Sequence, residues 1–450
     1  MLKAIAKKIE PIWSSKDNNL KSKLIKSAVG SFGLKIAASG LAFIMSVIFA
    51  RFLGRAGLGT YSYASTWANL LSIPAALGID QLIIREIAIY RNQSNWGLLG
   101  GILRWANAVV LIAGIIIASV AVVIAWNLQG SSDTTVVWAI ALAMVTLPII
   151  SLRNLRMGAM NGLHHIVLGQ VPESLFAPSI IIILTLGAYF ALGDRFNVFW
   201  VLGIKIIASI ASFIIGARWL VRSLPDEINR VAPQYEIKKW FTDALPFMFL
   251  GTSQLLNSRI DLLMLGSVKG VEAVGIYAVL LGITRLTVFI HQAANSVLAP
   301  NITTLYSQGK TKQLEKLIRK STLMVFAVSL LIGGIIMLLG DRALLIFGSE
   351  FLPGRTALNI LIIGSVFGSF TGPVGILLNM TGHQNHTAIA VGVTAVLNII
   401  LNTVLIPDYG INGAAIATTT SMVVINTIKV IFVQQKLGIY LYSFGGNKNS

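Results

Sequence analysis

Six ionisable side chains lie inside stretches otherwise built mainly of aliphatic, aromatic and small residues: Lys35, Glu173, Lys205, Arg259, Asp261 and Arg285. A charge at membrane depth is costly, so it turns toward a protein interior or a water-filled cavity. Four of the six are cations and two are carboxylates, so complete pairing still leaves two positive charges. That excess suits an anionic substrate, and the planar fork of arginine matches a phosphate. Arg259, Arg285, Lys35 and Lys205 are therefore the candidate set for binding a diphosphate or an anionic glycan. Asp261 and Glu173 are candidates for charge pairing or for binding a coupling proton or sodium ion. Arg259 and Asp261 are two residues apart and project from nearly opposite sides of a helix. The cross-helix pairs to look for are then Asp261 with Arg285 and Glu173 with Lys205. A purely structural role, in which such pairs only hold helices together, stays open at this level.

The elements that must position these charges are helices crossing a bilayer. The chain of 450 residues is 55% hydrophobic and only 12% charged, with mean hydropathy +0.78; a soluble domain carries roughly 25% charged residues. Twelve apolar runs reach the roughly 20 residues that a spanning helix needs: 28–50, 58–80, 98–126, 135–159, 164–191, 196–218, 240–266, 271–300, 321–340, 355–380, 385–406 and 411–434. Residues 1–27 form a basic segment in which Leu2, Ile5, Ile9 and Trp13 stand near helical spacing, as in a helix lying on the membrane surface. The start is basic but lacks the apolar core and cleavage site of a signal peptide. With the N-terminus inside, Lys and Arg of the inner loops outnumber those of the outer loops by about four to one. Both ends are then expected on the cytoplasmic side. The formal charge of +18 also finds its explanation there, in lysines facing an anionic leaflet rather than nucleic acid. Arg104 and Lys429 lie nearer span ends and are expected to snorkel to the interface.

The chain looks duplicated. Leu53-Gly54 followed by Gly59-Thr60-Tyr61 matches Leu265-Gly266 followed by Gly275-Ile276-Tyr277, with the second link four residues longer. Met160-Asn161-Gly162 likewise matches Met380-Thr381-Gly382. Both matches are offset by six spans, which predicts parallel repeats about an axis along the membrane normal. The expected fold is an all-α polytopic membrane protein of about twelve transmembrane helices, in two pseudo-symmetric six-helix lobes around a central cavity. Its parts are a basic N-terminal segment 1–27, an N-lobe 28–222 with spans one to six, and a cytoplasmic linker 223–239. A C-lobe 240–437 with spans seven to twelve and a tail 438–450 complete it.

Pro172, Pro178 and Pro373 are the hinge candidates, since proline frees a carbonyl and kinks a helix. Gly372-Pro373-Val374-Gly375 is the strongest such site. His164-His165 and the His383/His386 pair lack a carboxylate or cysteine at zinc spacing, so no metal is expected. There is no cysteine, and therefore no disulfide or thiol chemistry. Neither a Walker A sequence nor GxSxG occurs, and no outer loop is long enough for a glycan polymerase or ligase. A transporter without a resident cofactor is expected, not an enzyme.

Several of these stretches also resemble a known family. They are Ala50-Arg51-Phe52-Leu53-Gly54 with Gly59-Thr60-Tyr61, Leu77-Gly78 leading to Arg85-Glu86-Ile87-Ala88, Asp261 with Leu265-Gly266 and Gly275-Ile276-Tyr277-Ala278, and Pro300 before the basic stretch Thr304 to Lys320. In this order they resemble the motifs of bacterial polysaccharide-biosynthesis flippases, similar to O-antigen flippases, of the multidrug/oligosaccharidyl-lipid/polysaccharide (MOP) exporter superfamily. The resemblance covers most of the chain. It implies two lobes in a V around a cavity. It also implies transfer of undecaprenyl-diphosphate-linked oligosaccharide from the inner to the outer leaflet of the bacterial cytoplasmic membrane, by alternating access coupled to an ion gradient, proton or sodium. Membrane lipids, and a polysaccharide polymerase with its chain-length machinery, are the partners it suggests. The alternative on the same scaffold is a multidrug or small-molecule cation antiporter.

Overall fold

The computed structural model describes residues 18–127 and 134–439. The expected surface helix around Leu2 to Trp13 and the tail beyond residue 439 lie outside the described residues. Helix α1 runs Asn18–Ala76, α2 Ile79–Asn92, α3 Trp96–Asn127, α4 Thr134–Met144 and α5 Thr146–Gly162. Helix α6, Ile166–Val171, passes through a π-turn at Pro172–Phe176 into α7, Ala177–Leu192; α8 is Val198–Ser223. The second half has α9 Ile237–Lys269, α10 Val271–Ser307, α11 Thr311–Leu345, α12 Arg355–Phe370, α13 Val374–Met380 and α14 Gln384–Leu437. No strand occurs among the described residues.

Length forces two of these helices to double back. Helix α1 has 59 residues and α14 has 54. At 1.5 Å per residue each would be roughly 80–90 Å long, against a hydrocarbon core of about 30 Å. The breaks fall at Gly54 (φ 65°, ψ −178°) and Gly410 (φ 53°, ψ −124°). Counting each as two spans, α4–α5, α6–α7 and α12–α13 as one apiece, and α3, α8, α9, α10 and α11 singly, the described residues form twelve spans. The turns at Gly54, Gly193, Gly270, Gly348 and Gly410 then lie on one face of the membrane. Those around residues 77–95, 163–165, 224–236, 308–310 and 381–383 lie on the other. These are called here the Gly54 face and the Pro225 face.

The duplication is real, but its register differs from the sequence expectation. Gly54 corresponds to Gly270 (φ 82°, ψ 174°), not to Gly266. Both sit at positive φ with ψ near 180°, a region open essentially to glycine alone. Gly59 and Gly275, and Tyr61 and Tyr277, stand at this same offset, so no four-residue insertion exists. Gly266 lies inside α9, where a Cβ would be 2.4 Å from the Tyr63 ring. Gly193 and Gly410 repeat the correspondence with identical angles, φ 53° and ψ −124°.

The repeats meet on this duplicated motif. A Cβ at Gly59 would lie 1.7 Å from the Val271 carbonyl oxygen, and one at Gly275 1.9 Å from that of Arg55. The second span of each lobe therefore crosses its counterpart at backbone contact, which only small residues allow. Around this crossing Phe49, Leu58, Leu265, Tyr277, Phe347 and Phe351 form a core shared by both lobes. Arg55 pairs with Glu272 at 2.9 Å, and Arg51 donates to the carbonyls of Leu345 and Ile346 at 2.6 and 2.8 Å.

At the Pro225 face a different set joins the lobes. Helix α2 buries Ile79, Leu82, Ile83, Ile87 and Tyr90, a three-and-four spacing, beneath the start of α9. Trp240 is fully buried there; its Nε1 donates to the Tyr90 hydroxyl at 2.8 Å, and Arg85 pairs with Asp243 at 2.5 Å. A Cβ at Gly78 would be 2.4 Å from the Ala244 carbonyl. Helix α9 thus begins against the N-lobe and ends among helices of the C-lobe. Of the hinge candidates, Pro172 opens the π-turn and Pro373 follows a break at Gly372 (φ 76°), whereas Pro178 lies in regular helix.

Candidate functional site

Between the two joined faces, spans one, two and six of the N-lobe and spans seven and eight of the C-lobe enclose a cavity of about 290 Å³. Lys205, Arg259 and Arg285 all line it, and no acidic residue is among its lining. A second space of about 380 Å³ shares Asn69 and Arg259 with it and reaches toward the Pro225 face past Asp80 and Asn154. Lys205 Nζ donates to Ser65 Oγ at 2.8 Å and stands 5.1 Å from the centre of the Tyr61 ring, a cation–π arrangement. Neither Arg259 nor Arg285 forms an ion pair among the described residues. Three cations thus face one space without a neutralising carboxylate.

Lys35 does not join them. It is exposed on α1 and absent from the cavity lining. It stands nineteen residues before Gly54, about 28 Å along the helix, which puts it near the Pro225 face and well away from Lys205.

The two carboxylates face away from the cavity, and neither of the anticipated pairs forms. Asp261 is buried in the C-lobe. Its Oδ1 accepts the Leu262 N–H at 2.8 Å and its Oδ2 accepts from Thr418 Oγ1 at 3.3 Å. The Thr418 hydroxyl is also 3.1 Å from that of Tyr277. Arg285 is not its partner, because the opposite projection of positions 259 and 261 sends Arg259 to the cavity and Asp261 into the C-lobe. Glu173 pairs with Arg156 instead of Lys205, and it also accepts from Ser212 Oγ at 3.2 Å. Two local features explain this. The π-turn adds a residue to the helical repeat at Glu173 and so turns the carboxylate. Gly216 leaves room for the guanidinium, since a Cβ there would be 2.2 Å from Arg156 Nη1. Arg156 belongs to α5.

Sequence reasoning missed the polar lining of span two. Ser62, Ser65, Thr66 and Asn69 all line the cavity, and Ser72 continues the row into the second space. Their three-and-four spacing within an apolar helix was the available signal. It also missed Lys429, which does not snorkel to the interface but lines a cavity inside the C-lobe together with His291. Arg104 is exposed. Among the described residues no group of three or more His, Cys, Asp or Glu could hold a metal.

Residues 24–306 match the family described as "Polysaccharide biosynthesis protein", and residues 246–404 match the one described as "MatE". The chain belongs to the polysaccharide biosynthesis protein family. Its long apolar helices make it a multi-pass membrane protein. A relative in Haloferax volcanii, "Probable low-salt glycan biosynthesis flippase Agl15", is 30% identical over 38% of this chain; the match spans about a third, 36%, of that protein. Among solved structures, an inward-facing multidrug resistance MATE transporter superposes with TM-score 0.68 at 16% identity, over 91% of this chain and 96% of that one. The lipid II flippase MurJ in an inward closed conformation gives 0.67 at 16% identity, over 89% and 87%. At such identity these two structures show the shared fold alone.

Proposed function

We propose that this protein flips a polyprenyl-diphosphate-linked oligosaccharide, with undecaprenyl as the bacterial carrier, from the inner to the outer leaflet of the cytoplasmic membrane for surface polysaccharide assembly. The observation that carries the proposal is the meeting of Lys205, Arg259 and Arg285 in one inter-lobe cavity lined by no acidic residue. A diphosphate brings the negative charge such a site lacks, and arginine engages it through paired N–H donors. The lipid tail stays in the membrane while the head group enters between lobes. The lobes then rock about the site to expose it to each side in turn. Both termini face the cytoplasm in this reading, with the Gly54 face outward. The polymerase that consumes the flipped product and its chain-length machinery are the natural partners.

The buried Asp261, held by Thr418 and the Leu262 N–H, supports coupling to a proton or a sodium ion. It is a carboxylate without a cation partner in the lobe that must move. An antiporter for cationic drugs is disfavoured by the same cavity, where a cation would meet three like charges.

The test is transfer of a fluorescent undecaprenyl-diphosphate-linked sugar in proteoliposomes. Arg259→Ala and Arg285→Ala should each slow transfer by at least about tenfold, a loss of roughly 1.4 kcal/mol, with normal expression. Transfer at the unaltered rate in both variants would sink the proposal.

A further inference from the structure

The C-lobe holds a cavity of about 370 Å³ inside its own helix bundle, lined from α10, α12 and the two arms of α14. Its polar lining is His291 from α10, Ser365 and Ser369 from α12, and Asn398, Thr418, Ser421, Asn426 and Lys429 from the two arms of α14. No carboxylate lines it. Asn398 Nδ2 donates to Ser421 Oγ at 3.1 Å, and Asn426 Nδ2 to the Met422 carbonyl at 2.8 Å. Neither His291 nor Lys429 has a hydrogen-bond or ion-pair partner among the described residues. Gly368 also lines the space, and a Cβ there would stand at ordinary contact, 3.4 Å from Asn426 Nδ2. From Thr418 to Lys429 the cavity follows eleven residues of helix, about 16 Å.

Two bases, two amides and four hydroxyls inside a membrane bundle are costly to maintain without a ligand. Amides and hydroxyls both donate and accept, which is what a sugar's hydroxyl groups require. The volume lies within the roughly 300–1,000 Å³ range of small-molecule sites and far exceeds what an inorganic ion fills. Two unpartnered bases with no opposing carboxylate select for negative charge. On α10, Arg285 lines the inter-lobe cavity while Val288 and His291, three and six residues on, line this one.

We propose that this pocket receives an acidic sugar of the uronate type from the glycan end of the substrate, with Lys429 and His291 reading its carboxylate. The proposal rests on the flippase reading, in which the diphosphate of the same molecule lies at Arg259 and Arg285.

The test measures binding to the purified full-length protein of three probes: a free trisaccharide ending in glucuronate, its counterpart ending in glucose, and bare undecaprenyl diphosphate. The glucuronate trisaccharide should bind at least about tenfold tighter than the glucose one. Lys429→Gln and His291→Gln should each erase most of that preference while leaving undecaprenyl diphosphate affinity unchanged. Arg259→Ala should do the reverse, and Lys429→Arg should retain the preference if Lys429→Gln fails to fold. Equal affinity for the two trisaccharides, no binding of either, or an intact preference in His291→Gln and in Lys429→Gln would overturn the pocket. A uronate preference in a protein that ignores undecaprenyl diphosphate would keep the pocket and sink the diphosphate reading instead.

Discussion

Arg259 and Asp261, two residues apart on α9, serve different compartments: one faces the space between lobes, the other the interior of the C-lobe. Their roles separate accordingly. Asp261→Asn keeps the hydrogen-bonding shape and removes the ionisable group. In proteoliposomes it should abolish the response of transport to an imposed proton or sodium gradient while leaving substrate binding intact. A gradient response equal to that of the unaltered protein would remove Asp261 from coupling. Glu173 and Arg156 make the opposite kind of site, with side chains only 9% and 3% exposed, paired through Arg156 Nη2 while its Nε and Nη1 find no hydrogen-bond partner among the described residues. Removing one partner of such a buried pair costs about 3–5 kcal/mol, because the other charge stays behind. Glu173→Gln and Arg156→Gln should therefore lower the thermal unfolding midpoint in detergent. The double variant Arg156→Met/Glu173→Leu should recover much of the loss. A double variant worse than either single one would show that the pair serves more than packing.

At the scale of elements, glycine decides where this chain turns and where its helices touch. Gly54 and Gly270 hold a conformation that a side chain enters at a cost of about 1–3 kcal/mol. Gly54→Ala should be destabilising by that amount in thermal unfolding. Gly203→Ala, in regular helix with nothing within 4 Å of the added atom, should be neutral or mildly stabilising. Gly59→Ala tests a different property, since its φ is ordinary but its added Cβ would meet the Val271 carbonyl at 1.7 Å. It should push the lobes apart at the Gly54 face and reduce transport even where the protein still folds. Transport and melting indistinguishable from the unaltered protein would show that the helices re-pack freely there.

The whole molecule is two lobes joined at both membrane faces by separate sets of contacts. Arg55–Glu272 and the glycine crossing hold the Gly54 face, and Arg85–Asp243 with Trp240 holds the Pro225 face. Alternating access in the proposed cycle breaks one set while keeping the other. The chain has no cysteine, so cysteines placed at Arg55 and Glu272 and bridged by a short thiol-reactive linker act at that face alone. Bridging should stop transport, and cleaving a reducible linker should restore it. Transport that continues through the bridge would mean the Gly54 face does not open.

Some of this was determined by the sequence alone. A bilayer core of about 30 Å demands runs of about 20 apolar residues. Run length is a property of the chain in one dimension, so twelve spans could be read directly. The duplication was legible from Gly59-Thr60-Tyr61 and Gly275-Ile276-Tyr277, and the surplus of cations from Lys205, Arg259 and Arg285. The separation of Arg259 from Asp261 followed from their two-residue spacing. What remained depended on the rotation of each helix and on which neighbours it meets. Only packing settles those. The tertiary structure alone set the repeat register, because Gly54 and Gly270 are marked by backbone angles while Gly266 merely shares a letter. It alone gave Glu173 to Arg156, through a π-turn and the gap at Gly216. It also took Lys35 out of the cation set and put Lys429 inside the C-lobe, since a helix's depth and facing are fixed by the helices around it.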